Sequence, residues 1–399
     1  MANKIAAGEV VERPASVLKE LIENALDAGA SRVAAEVTAG GRKLVAVSDN
    51  GGGMSRDDAL LAVERHATSK IRDVDDIERI ATLGFRGEAL AAIAAVSRFR
   101  LVTRREEDPA GTEILITGGR IRDVRECGAP HGTAVEVRDL FHNVPARRKF
   151  LRSAQTELSH LRAAFLVQAL SHPAAGMSLK VDGRDAYHLP EGAGVEDRIR
   201  DLFGGEYLDG LRPLSHRAPD VTVSGYAGLP AISRADRGEQ YVLVNGRVCW
   251  APVLGHAVRE SYRAVLPSDR HPIVFLFLEM PPERVDVNVH PTKKEVRFRR
   301  PAAVRDAVIA AQLQGGAGEK GAGGLFPVIG LKGRIVGPRG LATAVLSVDG
   351  NTVFVTPGDE IEIATPRLGL PSVTLKIDQI DAQQVRGTLV QLNRVVLLN

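Results

Sequence analysis

Lys19-Glu20-Leu21-Ile22-Glu23-Asn24-Ala25-Leu26-Asp27-Ala28-Gly29-Ala30 is the stretch on which the reading of the whole chain turns. Pro14 suits a first helical position, and Leu18, Leu21, Ile22 and Ala25 recur on one helical face, so the spacing predicts a helix that stops at Gly29. A turn of about 100° per residue gathers Glu20, Glu23, Asn24 and Asp27 on the other face. Any surface helix shows a polar stripe opposite an apolar one, so this helix alone decides nothing about function.

The order of the next signals does. The alternating run Lys43 to Ser48 leads into Asp49-Asn50-Gly51-Gly52-Gly53-Met54, which puts an acid and glycines just after a strand. An Asp there can accept a hydrogen bond from an exocyclic amine, and glycines let a flat base lie against the backbone. Thr68, Ser69 and Lys70 offer hydroxyls and a cation suited to phosphate oxygens, although a helix end with a solvated lysine has the same composition. Leu83, Gly84, Phe85, Arg86, Gly87, Glu88 and Ala89 then form a glycine-punctuated loop opening into an apolar helical run, where backbone N–H groups would face a polyphosphate.

An acid and an amide on a helix, an Asp-x-Gly-x-Gly turn and a Gly-x-x-Gly loop, in that order, resemble the GHKL ATPases. Longer strings narrow the resemblance: Asn3 to Ser16, Arg65-His66-Ala67-Thr68-Ser69-Lys70-Ile71, Gly84 to Leu90, and Asp286 to Phe298. Together they resemble the MutL family of mismatch-repair ATPases over roughly residues 3 to 305. The resemblance implies an ATP- and Mg²⁺-dependent enzyme. Glu20 would orient and deprotonate the attacking water, and Asn24 would ligate Mg²⁺. Asp49 would take the adenine amine, with Gly51, Gly53, Met54 and Thr133 nearby, and Lys293 would reach the γ-phosphate from the second domain. It also implies an ATP-gated homodimeric clamp on the DNA backbone, a MutS-type mismatch-recognition partner, and a downstream nuclease or helicase. A histidine kinase would carry a phosphoacceptor helix ahead of the nucleotide domain, and a topoisomerase subunit would lack these long strings. A scaffold that keeps the fold without turnover is the rival of a different class.

Composition bounds the rest. The chain has 399 residues, 44% of them hydrophobic, enough for more than one core. Its 52 basic and 49 acidic residues nearly cancel, so attraction to DNA must be local. One local candidate is Arg147, Arg148 and Lys149 after Pro145, where a solvated basic face reads the same way. Cys127 and Cys249 form no ligand or disulfide pattern, there is no apolar signal segment, and no apolar run approaches a bilayer span. The expectation is a cytoplasmic, nucleoid-associated protein without a membrane segment.

The predicted fold class is α/β, an α+β sandwich of the GHKL (Bergerat) ATPase type over residues 1–205. A β-α-β transducer domain resembling a ribosomal-protein fold is expected over 206–312, signalled by Asn245-Gly246 between two strand runs and by a helix from Pro252. Gln314 to Gly324 is glycine-rich, giving a linker over 313–324; its Gly316-x-Gly318-x-x-Gly321 follows no strand and is discarded as a dinucleotide signature. Residues 325–399 read as a small all-β module, similar to periplasmic β modules of secretion and pilus-assembly proteins. No His follows His290 and no Cys follows Cys249, which leaves a metal nuclease of the MutL C-terminal kind without His or Cys ligands there. The short stretch before the first matching string predicts a short dimerising arm, and the family's constitutive dimerisation domain is not expected.

Overall fold

The structure, a computed structural model, describes residues 11–64, 89–249, 251–263, 265–286, 296–314, 329–336, 342–348, 351–364, 372–380, 385–390 and 394–398. It divides into two compact units, one holding the described residues up to Leu208 and the other those from Asp209.

The first unit contains α1 (Pro14–Asp27), β1 (Arg32–Thr38), β2 (Leu44–Asp49), α2 (Arg56–Val63), α3 (Ala89–Ala95), β3 (Arg98–Arg104), β4 (Gly111–Thr117), β5 (Arg120–Cys127) and β6 (Gly132–Arg138). It continues through α4 (Pro145–Phe150), α5 (Ala154–Ser171), β7 (Gly176–Val181), β8 (Arg184–Leu189) and α6 (Val195–Phe203). Its eight strands form one sheet in the order β5-β4-β3-β6-β2-β1-β7-β8, antiparallel except for β1 beside β7. One face is apolar: Val33, Val37, Val45, Val47, Phe99, Leu101, Ile114, Val135 and Val137 are buried in a core shared with Leu18 and Ile22 of α1 and Leu161 and Phe165 of α5. Each such side chain contributes about 1.5–3 kcal/mol by leaving water.

Side-chain alternation sends the polar partners of these strands to the other face. There Arg100 of β3 bridges Glu113 of β4 at 2.6 Å and Glu136 of β6 at 2.9 Å. Arg125 of β5 closes on Glu113 at 2.5 Å, and Arg138 on Glu136 at 2.7 Å. Hydrogen bonding from Arg100 holds the Glu113 carboxyl below the usual carboxylate range.

Arg198 of α6 is fully buried. Its Nη2 donates to the carbonyl of Pro173, to that of Ala175 just before β7 at 2.7 Å, and to that of Pro190 just after β8 at 3.0 Å. One guanidinium therefore fastens a helix to both ends of a hairpin.

Helix α7 (Gly205–Asp209) ends the first unit, its last residue opening the second, which holds β9 (Leu211–Ala218), β10 (Val221–Gly228), β11 (Gln240–Val244), β12 (Arg247–Val248), α8 (Pro252–Tyr262), β13 (Val274–Glu279), β14 (Val285–Asp286), β15 (Arg297–Phe298) and α9 (Pro301–Gln314). The sheet order is β12-β11-β13-β10-β9, with β11 parallel to β13 across α8, the β-α-β unit expected from sequence. Asn245 (φ 50°) and Gly246 (φ 74°) both take positive φ, the two-residue hairpin geometry that their sequence signals. Helix α9 runs to Gln314, so the expected linker starts inside a helix; the remainder of the linker lies outside the described residues.

The tail forms two sheets: β16 (Ile329–Val336), β17 (Ala342–Val348) and β18 (Asn351–Val355), then β19 (Glu360–Ala364), β20 (Ser372–Ile380), β21 (Val385–Leu389) and β22 (Arg394–Leu398). They touch through β16 with β22 and β17 with β20. β21 lies antiparallel to β22, with Val385 opposite Leu398.

Replacing Arg198 with Ala removes the donor to those carbonyls inside the core. Charged hydrogen bonds of this kind are worth about 1.5–3 kcal/mol each way of counting, so the Arg198→Ala protein should lose stability of that order. A urea unfolding midpoint unchanged from wild type would show that the clamp carries no weight.

Candidate nucleotide site

At one end of the sheet the apolar face turns polar. Asp49 of β2 pairs in register with Thr133 of β6, Thr133 with Thr103 of β3, and Thr103 with Thr112 of β4. The period of two puts all four side chains on the face that otherwise carries Val47, Val135, Leu101 and Ile114. Asp49 Oδ1 accepts from the Gly51 N–H at 2.9 Å and from the Thr133 N–H at 3.3 Å. The Thr103 and Thr133 hydroxyls meet at 2.9 Å, and Thr103 Oγ1 also accepts from the Met54 N–H at 2.9 Å. Burial raises the Asp49 carboxyl above its ordinary value, partly offset by the Gly51 and Thr133 hydrogen bonds and by nearby His131. The second oxygen of a partly desolvated carboxylate is thus a strong acceptor for an amine.

The turn after Asp49 is fitted to helix α1. The Gly52 N–H donates to the Ala28 carbonyl at 2.9 Å, and a Cβ on Gly51 would lie 2.9 Å from that same oxygen. Gly53 (φ 66°) has no room for a side chain, since a Cβ would meet the Arg104 carbonyl oxygen at 2.1 Å. Gly132 (φ 113°) has as little room, since a Cβ there would lie 2.1 Å from the Asp49 carbonyl oxygen. These contacts explain why glycine stands at each position.

Helix α1 leads away from this turn with Asn24 and Glu20 at successive helical turns. The Ala28 N–H donates to the Asn24 carbonyl at 3.0 Å, and each four-residue step advances about 6 Å. Both side chains are half-buried; that of Glu20 is 24% exposed. Lys19 lies 3.6 Å from Glu20 but 2.8 Å from Glu23, so Glu20 keeps most of its accepting capacity. Burial lowers the Lys19 pKa, but Glu23 and Glu20 together outweigh it and hold the ammonium above its ordinary value.

Glu23 corrects the sequence reading. It was expected on the polar face with Glu20, Asn24 and Asp27, yet it is 8% exposed and its Oε1 accepts from Gln168 Nε2 of α5 at 3.0 Å. Its place is the α1–α5 interface, because a residue three positions from Glu20 sits off to the side of the stripe, where α5 packs.

Two family profiles match the chain. One, described as histidine kinase-, DNA gyrase B- and HSP90-like ATPase, covers residues 12–117. The other, described as DNA mismatch repair protein, C-terminal domain, covers residues 199–314. The DNA mismatch repair protein MutL of Opitutus terrae is 50% identical over 314 residues, 79% of this chain and 50% of that protein. The chain belongs to the MutL family. MutL of Trichlorobacter lovleyi is 51% identical over 308 residues, 77% of this chain and 52% of that protein. The chain thus spans about half the length of the curated MutL relatives that it matches. Among solved structures, the Aquifex aeolicus MutL ATPase domain complexed with ADP is 29% identical with a TM-score of 0.51, covering 75% of this chain and 98% of that one. The N-terminal domain of a DNA repair protein shares the fold at a TM-score of 0.67 and 24% identity, covering 78% of this chain and 96% of that one. The fold of the first unit is therefore the GHKL ATPase fold.

Of the residues that the MutL resemblance singles out, Asp49, Gly51, Gly53, Met54 and Thr133 lie together at the ends of β2 and β6, and Asn24 and Glu20 lie on α1, four and eight residues before the Ala28 that bonds to this turn. Ala89 is the first residue of α3. Thr68, Ser69, Lys70, Leu83 through Glu88, and Lys293 lie outside the described residues. Arg148 and Lys149 are exposed on α4, whereas the Arg147 guanidinium lies over the Phe141 ring, 5.9 Å from its centroid. Sequence reasoning missed Thr103. Its signal was a hydroxyl where the inward alternation Phe99, Leu101 calls for a third apolar residue.

Among the described residues no cluster of His, Cys, Asp and Glu could hold a metal on its own. A Mg²⁺ ion that takes most of its oxygens from phosphate and water needs only one or two protein ligands, and the half-buried Asn24 amide oxygen fits that need. No helix among the described residues is long and apolar enough to cross a membrane.

Gly132→Ala tests how tightly the glycine turns define the site. A Cβ there collides with backbone and takes an unfavourable φ, so the variant should lose more than about 1 kcal/mol and bind nucleotide poorly. Wild-type stability in chemical denaturation would contradict the fit described for this turn.

Proposed function

We propose that the chain binds and hydrolyses ATP with Mg²⁺, and that it acts in DNA mismatch repair as a nucleotide-gated clamp. The observation that carries the proposal is the joining of α1 to the Asp49 turn through Ala28 and Gly52. With the base held at Asp49, Asn24 and Glu20 follow at one and two helical turns, roughly 6 and 12 Å along the axis from Ala28. An extended nucleoside triphosphate has comparable reach.

In this reading Asp49 accepts the adenine amine, the Thr103–Thr133 pair and Met54 line the base, and Gly51 and Gly53 let it lie flat. Asn24 gives its side-chain oxygen to Mg²⁺, which when bound supplies Lewis-acid polarisation of the terminal phosphate. Glu20 accepts the proton of the attacking water. Lys19 is held protonated by both acids, with Glu23 at 2.8 Å the nearer partner and Glu20 at 3.6 Å the farther. Phosphate contacts fall to Thr68, Ser69, Lys70 and the N–H groups of Leu83 to Ala89, with Lys293 at the γ-phosphate.

The relatives' name, DNA mismatch repair protein, supports extending the reading to DNA, to a MutS-type partner and to a downstream nuclease or helicase. Arg147, Arg148 and Lys149 are the candidate backbone contacts, with ATP-dependent pairing of two copies as the gate. A cytoplasmic, nucleoid-associated location accords with that work.

Two variants test the proposal. Glu20→Ala should retain ATP in filter binding while phosphate release drops by about 10²–10⁴-fold. Undiminished release would remove Glu20 from the role. Asp49→Ala should bind ATP about 10- to 150-fold more weakly, from a charged hydrogen bond of about 1.5–3 kcal/mol, and should lose its preference over GTP. Equal affinity for ATP in both proteins would refute adenine recognition at Asp49.

A further inference from the structure

Between Leu140 and Thr156 the sequence contains no acid, and four cations fall within residues 147–152. At the centre of these cations Phe150 is 83% exposed, more than any other large hydrophobic side chain among the described residues. Arg148, Lys149 and Arg152 around it are exposed as well. A phenyl ring left in water costs free energy that folding could have recovered. A ring displayed inside a cationic patch has a combination of properties that a single-stranded nucleic acid matches, with phosphates for the cations and a π-face for the ring.

The display is rigid. On the entry side Phe141 is buried at φ 64°, and its N–H donates to the Val96 carbonyl at 2.7 Å. Arg147 closes over the Phe141 ring, and Asn143 Nδ2 donates to the Ala95 carbonyl at 2.9 Å. On the exit side the Arg152 N–H donates to the buried Glu157 carboxylate at 3.0 Å, and Ser153 caps α5 by accepting from the Thr156 N–H at 3.2 Å. A short helical turn pinned at both ends loses little further conformational entropy when a base stacks on it.

We infer that Phe150 is a stacking platform for an unpaired base of single-stranded DNA, with Arg148, Lys149 and Arg152 holding the flanking phosphates. The Arg147 guanidinium lies over the Phe141 ring and so helps to hold the tip in place. The inference rests on the DNA partnership proposed above and goes beyond it by naming the strand state and the residue that reads it. Duplex DNA keeps its bases stacked on one another and can use only the cations.

The experiment is fluorescence anisotropy of labelled oligo(dT) and of a matched duplex against the whole chain, over a series of salt concentrations. Phe150→Ala should weaken oligo(dT) binding by about 5- to 150-fold, the value of one stacked base, while duplex binding and the salt slope hold. Phe150→Tyr should bind as wild type, and Phe150→Leu should behave like the alanine variant. Arg148→Ala with Lys149→Ala should weaken both DNAs and flatten the salt slope by about one to two charges. If the cation variant weakens binding but Phe150→Ala does not, or if Phe150→Leu binds as wild type, the stacking inference is overturned and the DNA reading stands. Were wild type to bind neither DNA, both would fall. Loss of self-association on sedimentation of Phe150→Ala, with oligo(dT) affinity unchanged, would assign the ring to a contact between copies and overturn the inference.

Discussion

One backbone hydrogen bond, from the Gly52 N–H to the Ala28 carbonyl, fixes the geometry of the first unit's polar end. It ties the last turn of α1 to the loop that follows β2, and the missing side chain of Gly51 lets the two backbones approach that closely. Without that approach Asp49 would remain at its strand end, but Asn24 and Glu20 would have no defined distance from it. The apolar face of α1, packed on Val45 and Val47, sets the helix rotation, and the glycine turn sets its position along its axis.

That division explains what was readable in the sequence. Periodicity reports rotation, so the burial of Leu18, Leu21, Ile22 and Ala25 and the half-exposure of Glu20 and Asn24 were legible from spacing. Glu23 was not, because a third neighbour, α5, claims it through Gln168, and one helix's pattern cannot reveal which element packs on its flank. Strands with one buried face were legible as well. β5 carries no such alternation, because it is an edge strand with side chains largely exposed along its length. The β7–β8 hairpin carried an unused signal, Asp182-Gly183 at φ 48° and 79°, of the same kind as Asn245-Gly246.

The site was legible in its acids, amide and glycines, which announce themselves by type. The threonine row was less so: Thr103 and Thr133 lie 30 positions apart and become a pair only through the β3–β6 register. The exposure of Phe150 was also hidden, since an aromatic among cations reads equally well as the apolar anchor of a helix start. Only the three-dimensional packing shows that Phe141, not Phe150, serves as that anchor.

The ion-paired face of the large sheet bears on how the chain reaches this arrangement. β6 must insert between β2 and β3, far from its neighbours in sequence, and several slipped alignments would satisfy the same backbone groups. A slip of one residue would turn Arg100, Glu113 and Glu136 into the hydrocarbon layer and send Leu101, Ile114 and Val135 to water. The arginine–glutamate ladder therefore makes every misaligned pairing costly, since each would bury charge on one face and expose hydrocarbon on the other.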